Sequence, residues 1–220
     1  MAIEHRLMHA ETLAYMFHWL PLEHKARPAG AALQPAAPIA THPTYQMMEI
    51  PAGRATLGLR RGKEFGWDNE FEEHTVEVAA FAMDKYKVTN AQYREFVRAG
   101  GYSERSFWSD ADWAWKEQAG VRHPKFWVER GGAWHFRAMF EEVPLPGDWP
   151  VYVSQAEASA YARWVGKELP SEAQFHRAAY GTPEGRERAY PWGGEPPGAR
   201  RGNFDFHRWD PVSVAAHPGG

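Results

Sequence analysis

The stretch PVYVSQAEASAYARWVGKELPSEAQFHRAAYG, residues 150–181, predicts two short consecutive helices. In its first half, Ser154 stands three residues before Glu157. In its second half, Ser171 stands three residues before Gln174, and a glycine closes the stretch. This spacing is that of the capping box, in which the serine accepts a backbone N–H of the first turn and the acid or amide reaches back. Both helices are therefore predicted to begin at these serines.

The segments before this stretch predict strands, one further helix and long loops. Alternation of apolar and polar residues indicates strands, and a capping residue followed by an apolar stripe indicates a helix. The predicted elements are a strand, a turn and a second strand in YQMMEIPAGRATLG (45–58), strand in EEHTVEVAAFAMDKYKVT (72–89), a helix in NAQYREFVRAG (90–100) capped by Thr89 or Asn90, and a hairpin in KFWVERGGAWHF (125–136) turning on Gly131-Gly132. This mixture predicts the α+β class, with irregular, tryptophan-rich chain between residues 101 and 150.

The amino-terminal residues predict a separate helix followed by a linker. Residues 2–20 are mostly good helix formers, and Pro21 ends the run. Since one helix cannot bury its own apolar face, we expect residues 1–25 to be the last helix of a bundle. Residues 26–44 are rich in proline and alanine and predict a semi-extended linker. The domain that contains the capped helices is then expected to span residues 45–220.

Two histidines in this helix, His5 and His9 of EHRLMHAETLAYM (4–16), are candidate metal ligands. Side chains four residues apart on a helix project from one face, about 5–6 Å apart at Cβ. Two neutral imidazoles at that spacing can bind one ion, and iron(II) accepts imidazole readily. Taken alone, such a pair is usually an incidental feature of an amphipathic helix. His18 lies nine residues beyond His9, about half a turn round the helix, so it is not expected to be a third ligand.

Composition excludes several other functional classes. The net charge is −3 with both signs interspersed, so the basic stripe of a nucleic-acid-binding protein is absent. No apolar run has the length of a membrane span, and the first residues lack the apolar core of a signal peptide. The chain contains no cysteine, which excludes a disulfide framework and a thiolate metal site within it. These features lead us to expect a cytoplasmic protein.

Several motifs together resemble the formylglycine-generating-enzyme (sulfatase-modifying factor) domain, a variant of the C-type lectin fold. They are VTNAQYREFV (88–97), the 150–181 stretch and YPWGG (190–194). The departures are Gln155, where many members carry tryptophan, Ser171 in place of threonine, and QFH (174–176) in place of EWE. The resemblance implies a lectin-like α+β domain, and we expect it to be incomplete at its carboxyl end.

One branch of that superfamily carries a bundle of the DinB type ahead of the domain. It comprises the iron-dependent sulfoxide synthases of ergothioneine and ovothiol biosynthesis. EHRLMHAETLAYMFHWLP (4–21) and FGWDNEFEEHTVEV (65–78) resemble this branch. The resemblance implies that His5 and His9 bind Fe(II), with a third histidine from an earlier bundle helix. It implies as substrates hercynine, O2 and either cysteine or γ-glutamylcysteine, without deciding between the two thiols. We expect this chain alone to be inactive.

The resemblance also suggests substrate-binding and calcium-binding residues. Some members of the branch carry a substrate-contacting polar residue where this chain has Met8, whose alternative role is packing. Trp67, Asp68 and Asn69 form either a pocket wall near the iron or a turn held by side-chain-to-backbone hydrogen bonds. A structural Ca²⁺ would suit oxygen ligands in the coil GNFDFHRWD (202–210), although backbone capping also explains such residues. Those calcium candidates are Asn203, Asp205 and Asp210.

Two other functions remain open from the sequence. One is a formylglycine-generating oxidase that acts on sulfatases with copper and paired cysteines. The other is a non-catalytic lectin-like binding module, which would have no need of His5 and His9. The oligomeric state is not predicted.

Overall fold

The computed structural model describes residues 2–28, 46–62, 65–204, 206 and 208–219. Most of the predicted linker, residues 29–44, lies outside these ranges. The described part is of the α+β class, as predicted. Its helices are α1 (Ala2–Trp19), α2 (Asn90–Arg98), α3 (Asp110–Gln118), α4 (Gln155–Trp164) and α5 (Glu172–Tyr180). Its strands are β1 (Met47–Ile50), β2 (Gly53–Leu57), β3 (His74–Val78), β4 (Phe81–Asp84), β5 (Trp127–Arg130), β6 (Ala133–Arg137) and β7 (Glu142–Pro144). We call residues 46–219 the main domain.

The first four strands form one long antiparallel ribbon with a break in its middle. β2 pairs with β3, from Gly53 opposite Val78 to Leu57 opposite His74. β1 pairs with β4 in the continuing register, ending with Ile50 opposite Phe81. The break falls at Pro51, which has no N–H to donate to a ladder. The single strand predicted across residues 72–89 is therefore divided into β3 and β4.

The capped helices begin where the sequence predicts. Ser154 accepts a hydrogen bond from the Glu157 N–H at the start of α4, and Ser171 accepts one from the Gln174 N–H at the start of α5. Thr89, rather than Asn90, caps α2. The predicted hairpin is also confirmed, because β5 pairs with β6 across Gly131-Gly132, whose φ angles are +56° and +78°. Both glycines adopt the left-handed conformation that a two-residue hairpin loop requires.

Helix α3 was not predicted from the sequence. Ser109 caps it by accepting the Asp112 N–H. Its inward-facing residue is Lys116, whose side chain is fully buried although lysine is the residue type expected at the surface. The Lys116 ammonium lies 4.2 Å from the centroid of the Trp113 ring and 2.5 Å from Glu117 Oε1. A helix that buries a lysine between tryptophans lacks the apolar stripe by which helices are recognised.

A core of aromatic side chains joins α2, α4 and the β5–β7 sheet. Tyr93, Phe96, Phe126, Trp127 and Phe136 are almost fully buried in it. Edge-to-face contacts connect these rings, for example Tyr93 with Phe96 at 5.3 Å and Phe126 with Phe136 at 6.3 Å between centroids. Large, flat side chains with defined contact geometry can thus fix a fold whose regular elements are short.

Arg177 connects α5 to the break in the ribbon. Its buried guanidinium donates to the carbonyl oxygens of Pro51, Ala52 and Thr182 at 3.2–3.4 Å. Gly53 lies against it, and a Cβ atom there would be only 2.8 Å from the Arg177 Cζ. The helix α5 therefore holds the break in the ribbon in place.

Candidate metal centre

The two predicted ligands meet on one face of α1. The Nε2 atoms of His5 and His9 lie 2.7 Å apart. Their rings are stacked, with centroids 4.6 Å apart and an interplanar angle of 28°. Both side chains are exposed. The helical spacing of four residues thus brings two imidazole nitrogens to one point at the protein surface.

The main domain contributes Trp67 to this point. The ring of Trp67 presents an edge-to-face contact to His5, at 6.3 Å between centroids and 75° between planes. Phe65 also packs edge-to-face on Trp67, at 5.3 Å between ring centroids. The backbone N–H of Trp67 donates to Glu70 Oε2 at 2.6 Å, which holds the start of the 3₁₀ turn Asp68–Glu70. This turn places an aromatic wall beside the histidine pair.

Asp68 and Asn69 are exposed residues of that turn. Asp68 Oδ1 accepts the N–H of Asn69 at 3.0 Å. This bond is of the turn-holding kind that the sequence left as one alternative. Of the three residues in the predicted pocket wall, Trp67 is the one that has a described contact with a histidine.

Met8 lies between the histidines in the helix and is 50 % exposed. Within the described residues it is not part of the core. Other apolar residues of α1 share its exposure: Ile3, Leu7, Leu13, Tyr15 and Met16. The helix carries an apolar surface that the described chain does not cover.

The carboxyl-terminal end of α1, in contrast, is fixed to the main domain. Phe17 packs edge-to-face on Phe140 at 6.0 Å, and the Lys125 ammonium lies 3.2 Å from the centroid of the Trp19 ring. Arg137 Nη1 donates to the carbonyl of Leu20 at 3.3 Å. Cations near the last carbonyls of a helix are favoured by its dipole. These contacts set the position of α1, and hence of the histidine pair, against Trp67.

His18 is buried in the same seam, in a role that the sequence did not predict. Its ring lies parallel to that of Phe126, with centroids 4.0 Å apart, and its Nε2 lies 2.9 Å from the carbonyl oxygen of Arg137. The sequence placed His18 away from His5 and His9, which agrees with this position. The burial of His18 could not be predicted, because a histidine in the last turn of a helix is also favoured there when exposed.

The donor set fits part of an iron site. Two imidazole ligands about 2.0–2.1 Å from one ion would have their nitrogens roughly 3 Å apart, close to the observed spacing. Imidazole is also a ligand type that iron(II) accepts. Within the described ranges, no group of three or more His, Cys, Asp or Glu side chains could hold a metal ion. The spacing of the His5 and His9 nitrogens thus suits two ligands of one ion.

The calcium candidates are engaged with the backbone. Asn203 Nδ2 donates to the carbonyls of Arg208 and Asp210, at 3.1 Å each. Asp210 Oδ1 accepts the Met139 N–H at 2.7 Å, and burial raises the pKa of this carboxyl group. Asp205 lies outside the described residues. The contacts of Asn203 and Asp210 are those of the backbone-capping alternative.

None of the helices in the described ranges has both the length and the apolar character needed to cross a membrane.

Similar proteins fall into two groups. The chain is 36 % identical over 224 aligned residues to the hercynine oxygenase of Mycolicibacterium thermoresistibile, covering all of this chain and 48 % of that protein. It is 37 % identical over 174 residues to the hercynine oxygenase of Mycolicibacterium smegmatis, covering 78 % and 40 %. It is 35 % identical over 204 residues to the formylglycine-generating enzyme of Streptomyces coelicolor, covering 84 % and 63 %.

These alignments agree with the resemblance seen in the sequence motifs. The chain spans about half the length, or less, of the hercynine oxygenases that it matches. Residues 34–216 match the sulfatase-modifying factor enzyme 1-like domain. The match covers most of the chain, and the chain belongs to the family that carries this domain.

Proposed function

We propose that the intact protein is an iron(II)- and O2-dependent sulfoxide synthase of ergothioneine biosynthesis. It joins the sulfur of cysteine or γ-glutamylcysteine to the imidazole ring of hercynine. The overall reaction balances as thiol plus hercynine plus O2 giving the sulfoxide plus water. One C–S and one S–O bond form, one S–H and one imidazole C–H bond break, and O2 accepts four electrons.

The observation that carries this proposal is the convergence of the His5 and His9 nitrogens at 2.7 Å. The alignment with the hercynine oxygenase of Mycolicibacterium thermoresistibile covers the whole chain, so it includes α1. A lectin-like binding module would not need two imidazoles aimed at one point. The pair therefore favours a metal-dependent enzyme.

The residues of this chain have separate roles in the proposed reaction. When bound, iron(II) supplies the charge that favours a thiolate and the redox chemistry that dioxygen requires. His5 and His9 would hold it through Nε2. Trp67 fixes the ring of His5 by its edge-to-face contact and forms one wall beside the pair. The Met8 side chain, exposed between the ligands, would contact hercynine.

The third ligand is proposed to come from an earlier helix of a DinB-like bundle. The uncovered apolar side chains of α1, such as Ile3, Leu7 and Leu13, support packing against further helices. Two imidazoles alone bind iron weakly and leave its geometry undefined. For this reason we propose that the 220-residue chain by itself does not turn over. We also propose a cytoplasmic location, in keeping with the absence of cysteine.

The experiment uses the intact protein loaded anaerobically with iron(II). Oxygen uptake is measured with hercynine plus cysteine, with hercynine plus γ-glutamylcysteine, and with each compound alone. We expect rapid uptake only when hercynine and one of the thiols are both present, and loss of that uptake in His5→Ala and His9→Ala. Absence of thiol-dependent uptake, or uptake unchanged in both variants, would contradict the proposal.

The second candidate is a formylglycine-generating oxidase. The 35 % identity to the enzyme of Streptomyces coelicolor favours it. That activity would need copper and a sulfatase peptide as substrate, and His5 and His9 would have no part in it. Oxidation of a cysteine-containing sulfatase peptide by the copper-loaded intact protein, undiminished in His5→Ala, would favour this candidate over the first.

A further inference from the structure

His18 lies at the interface between α1 and the main domain, and its surroundings are mainly aromatic. The side chain is only 9 % exposed. Its ring stacks on Phe126 with an interplanar angle of 5°, and Phe136 and Tyr152 approach it edge-on at 6.2 and 6.4 Å between centroids. The flat imidazole ring fits the slot that the Phe126, Phe136 and Tyr152 rings form. The slot thus fixes the rotation of α1 about its own axis.

The hydrogen bond of His18 defines which nitrogen carries the proton. Nε2 lies 2.9 Å from the Arg137 carbonyl oxygen. A carbonyl can only accept, so Nε2 must donate, and a neutral imidazole with its hydrogen on Nε2 satisfies this contact. The bond joins the last turn of α1 to strand β6. No charge on His18 is needed for it.

The charged groups round His18 are mostly cations. Lys25, which donates to the carbonyl of His18 at 3.5 Å, and Arg137 act on the imidazole electrostatically. Elsewhere in the same interface, the Lys125 ammonium lies over the Trp19 ring, Arg27 is paired with Glu141 at 2.6 Å, and Asp210, which acts on Lys25, accepts the Met139 N–H. A proton on His18 would therefore add a positive charge to a buried position beside Lys25 and Arg137.

We propose that neutral His18 is the positioning residue that fixes α1 on the main domain and so holds the His5–His9 pair against Trp67. The importance of this position for catalysis rests on the proposed function, whereas the docking itself does not. An α-helix rises 1.5 Å per residue, so His5 lies roughly 20 Å along α1 from His18. A tilt of about 10° at His18 would displace His5 by about 3 Å. Displacements of about 1 Å at a reacting centre already cost about a hundredfold in rate.

The protonation equilibrium makes this docking sensitive to pH. Burial lowers the pKa of His18, and Lys25 and Arg137 lower it further, while the hydrogen bond to the Arg137 carbonyl acts in the opposite direction. When α1 is undocked, the imidazole recovers a pKa of about 6.5. The undocked state therefore binds more protons below that pH. Docking is then strongest above about pH 6.5 and weakens as the pH falls from there toward the lowered pKa.

The first test measures the docking of α1 without metal or substrate. Hydrogen exchange of the α1 amides in the 220-residue chain is followed at about pH 8, where His18 is neutral. We expect His18→Ala to speed exchange in the last turns of α1 by about tenfold or more. The matched control is His24→Ala, at an exposed histidine outside the seam, which should exchange like the parent. Exchange in His18→Ala equal to that of the parent would overturn the proposal.

The second test separates positioning from mere packing by its pH profile. The chain has no cysteine, so the double variant Ile3→Cys/Glu129→Cys can be labelled with one fluorophore at each of these two exposed positions. Energy transfer between the fluorophores then reports the distance between α1 and β5. We expect the distribution of this distance to broaden as the pH falls from about 7.5 to about 5. When His18→Gln is introduced into this double variant, the distance distribution should not change with pH, because the glutamine amide can donate to the Arg137 carbonyl but does not titrate. A parent chain without pH dependence, or a glutamine variant that retains it, would overturn the proposal.

These two tests are independent of the oxygenase experiment. A negative oxygen-uptake result with normal, pH-dependent docking would reject the proposed function and leave the role of His18 in docking intact. Normal oxygen uptake, together with docking that does not depend on His18, would support the proposed function and reject the role of His18 in docking. In an active intact protein, His18→Gln should retain most of the turnover at about pH 8, whereas His18→Ala should lose about tenfold or more.

Discussion

The Nε2 atoms of His5 and His9 lie 2.7 Å apart on successive turns of α1, beside Trp67 of the main domain. The pair is exposed, yet the helix that carries it is fixed at its other end by buried contacts. The two imidazole nitrogens therefore converge at an exposed point whose position is set by buried contacts at the other end of the helix.

Removal of either histidine is expected to abolish tight metal binding by the intact protein. With Co²⁺ as a spectroscopic stand-in for iron(II), His5→Ala and His9→Ala should each weaken binding by more than about a hundredfold. Removal of a hydrogen-bond partner of a ligand already lowers metal affinity by about 10–100-fold, and removal of the ligand itself should lower it further. Titration followed by the visible absorption of Co²⁺ measures this. His24→Ala is the control, and equal weakening in that variant would indicate a general effect on folding.

Trp67 is expected to support the metal centre through His5. An aromatic contact contributes about 0.5–1.5 kcal/mol beyond burial, so Trp67→Ala should weaken Co²⁺ binding by about 2–10-fold. Trp67→Phe retains a ring edge and should recover part of the loss. Trp115→Ala, at a half-exposed tryptophan of α3, is the matched control. Binding in Trp67→Ala that equals the control would show that the contact with His5 is incidental.

Most of the secondary structure of the main domain could be predicted because local signals set it. The serine caps of α4 and α5 and the two glycines of the β5–β6 turn determine backbone conformation within a few residues. The break between β3 and β4 could not be predicted, since it arises opposite Pro51, nearly thirty residues earlier in the chain. Helix α3 was missed because a buried lysine replaces its apolar stripe.

The candidate site was predictable only in part. The convergence of His5 and His9 could be predicted, because side chains four residues apart on a helix lie on the same face. The approach of Trp67 depends on how α1 docks, and docking depends on contacts such as those of His18 with Phe126 and Arg137, which are far apart in the sequence. No local pattern indicates a contact of that kind.

The buried hydroxyl of Tyr102 is expected to stabilise the fold. It donates to Glu157 Oε1 at 2.5 Å, while Glu157 Oε2 accepts the N–H of Ser154 at 2.8 Å. Hydrogen bonds to charged groups contribute about 1.5–3 kcal/mol, so Tyr102→Phe should lower the free energy of unfolding by that amount. Urea denaturation measures it. Tyr15→Phe, at an exposed tyrosine of α1, should be neutral, and a Tyr102→Phe variant of parental stability would contradict the network.

The three carbonyl bonds of Arg177 are expected to require its planar guanidinium. Lysine at this position offers a point charge that cannot reach all three acceptors at once. Arg177→Lys should lower the free energy of unfolding by about 1–3 kcal/mol, corresponding to the loss of two hydrogen bonds. Thermal or urea unfolding measures this. Arg186→Lys, at an exposed arginine, serves as the control, and equal effects in the two variants would remove the case for Arg177 as a connector.

The central claim is that His5 and His9 hold the iron of a hercynine-dependent sulfoxide synthase. The most direct measurement is mass spectrometry of the products formed by the intact, iron(II)-loaded protein from hercynine, O2 and each of the two thiols. We predict a product whose mass equals that of hercynine plus one thiol plus O2 minus water, formed by the parent and by His24→Ala but not by His5→Ala or His9→Ala. Its absence from the parent, or its formation by the His5 and His9 variants at the parental rate, would contradict the claim.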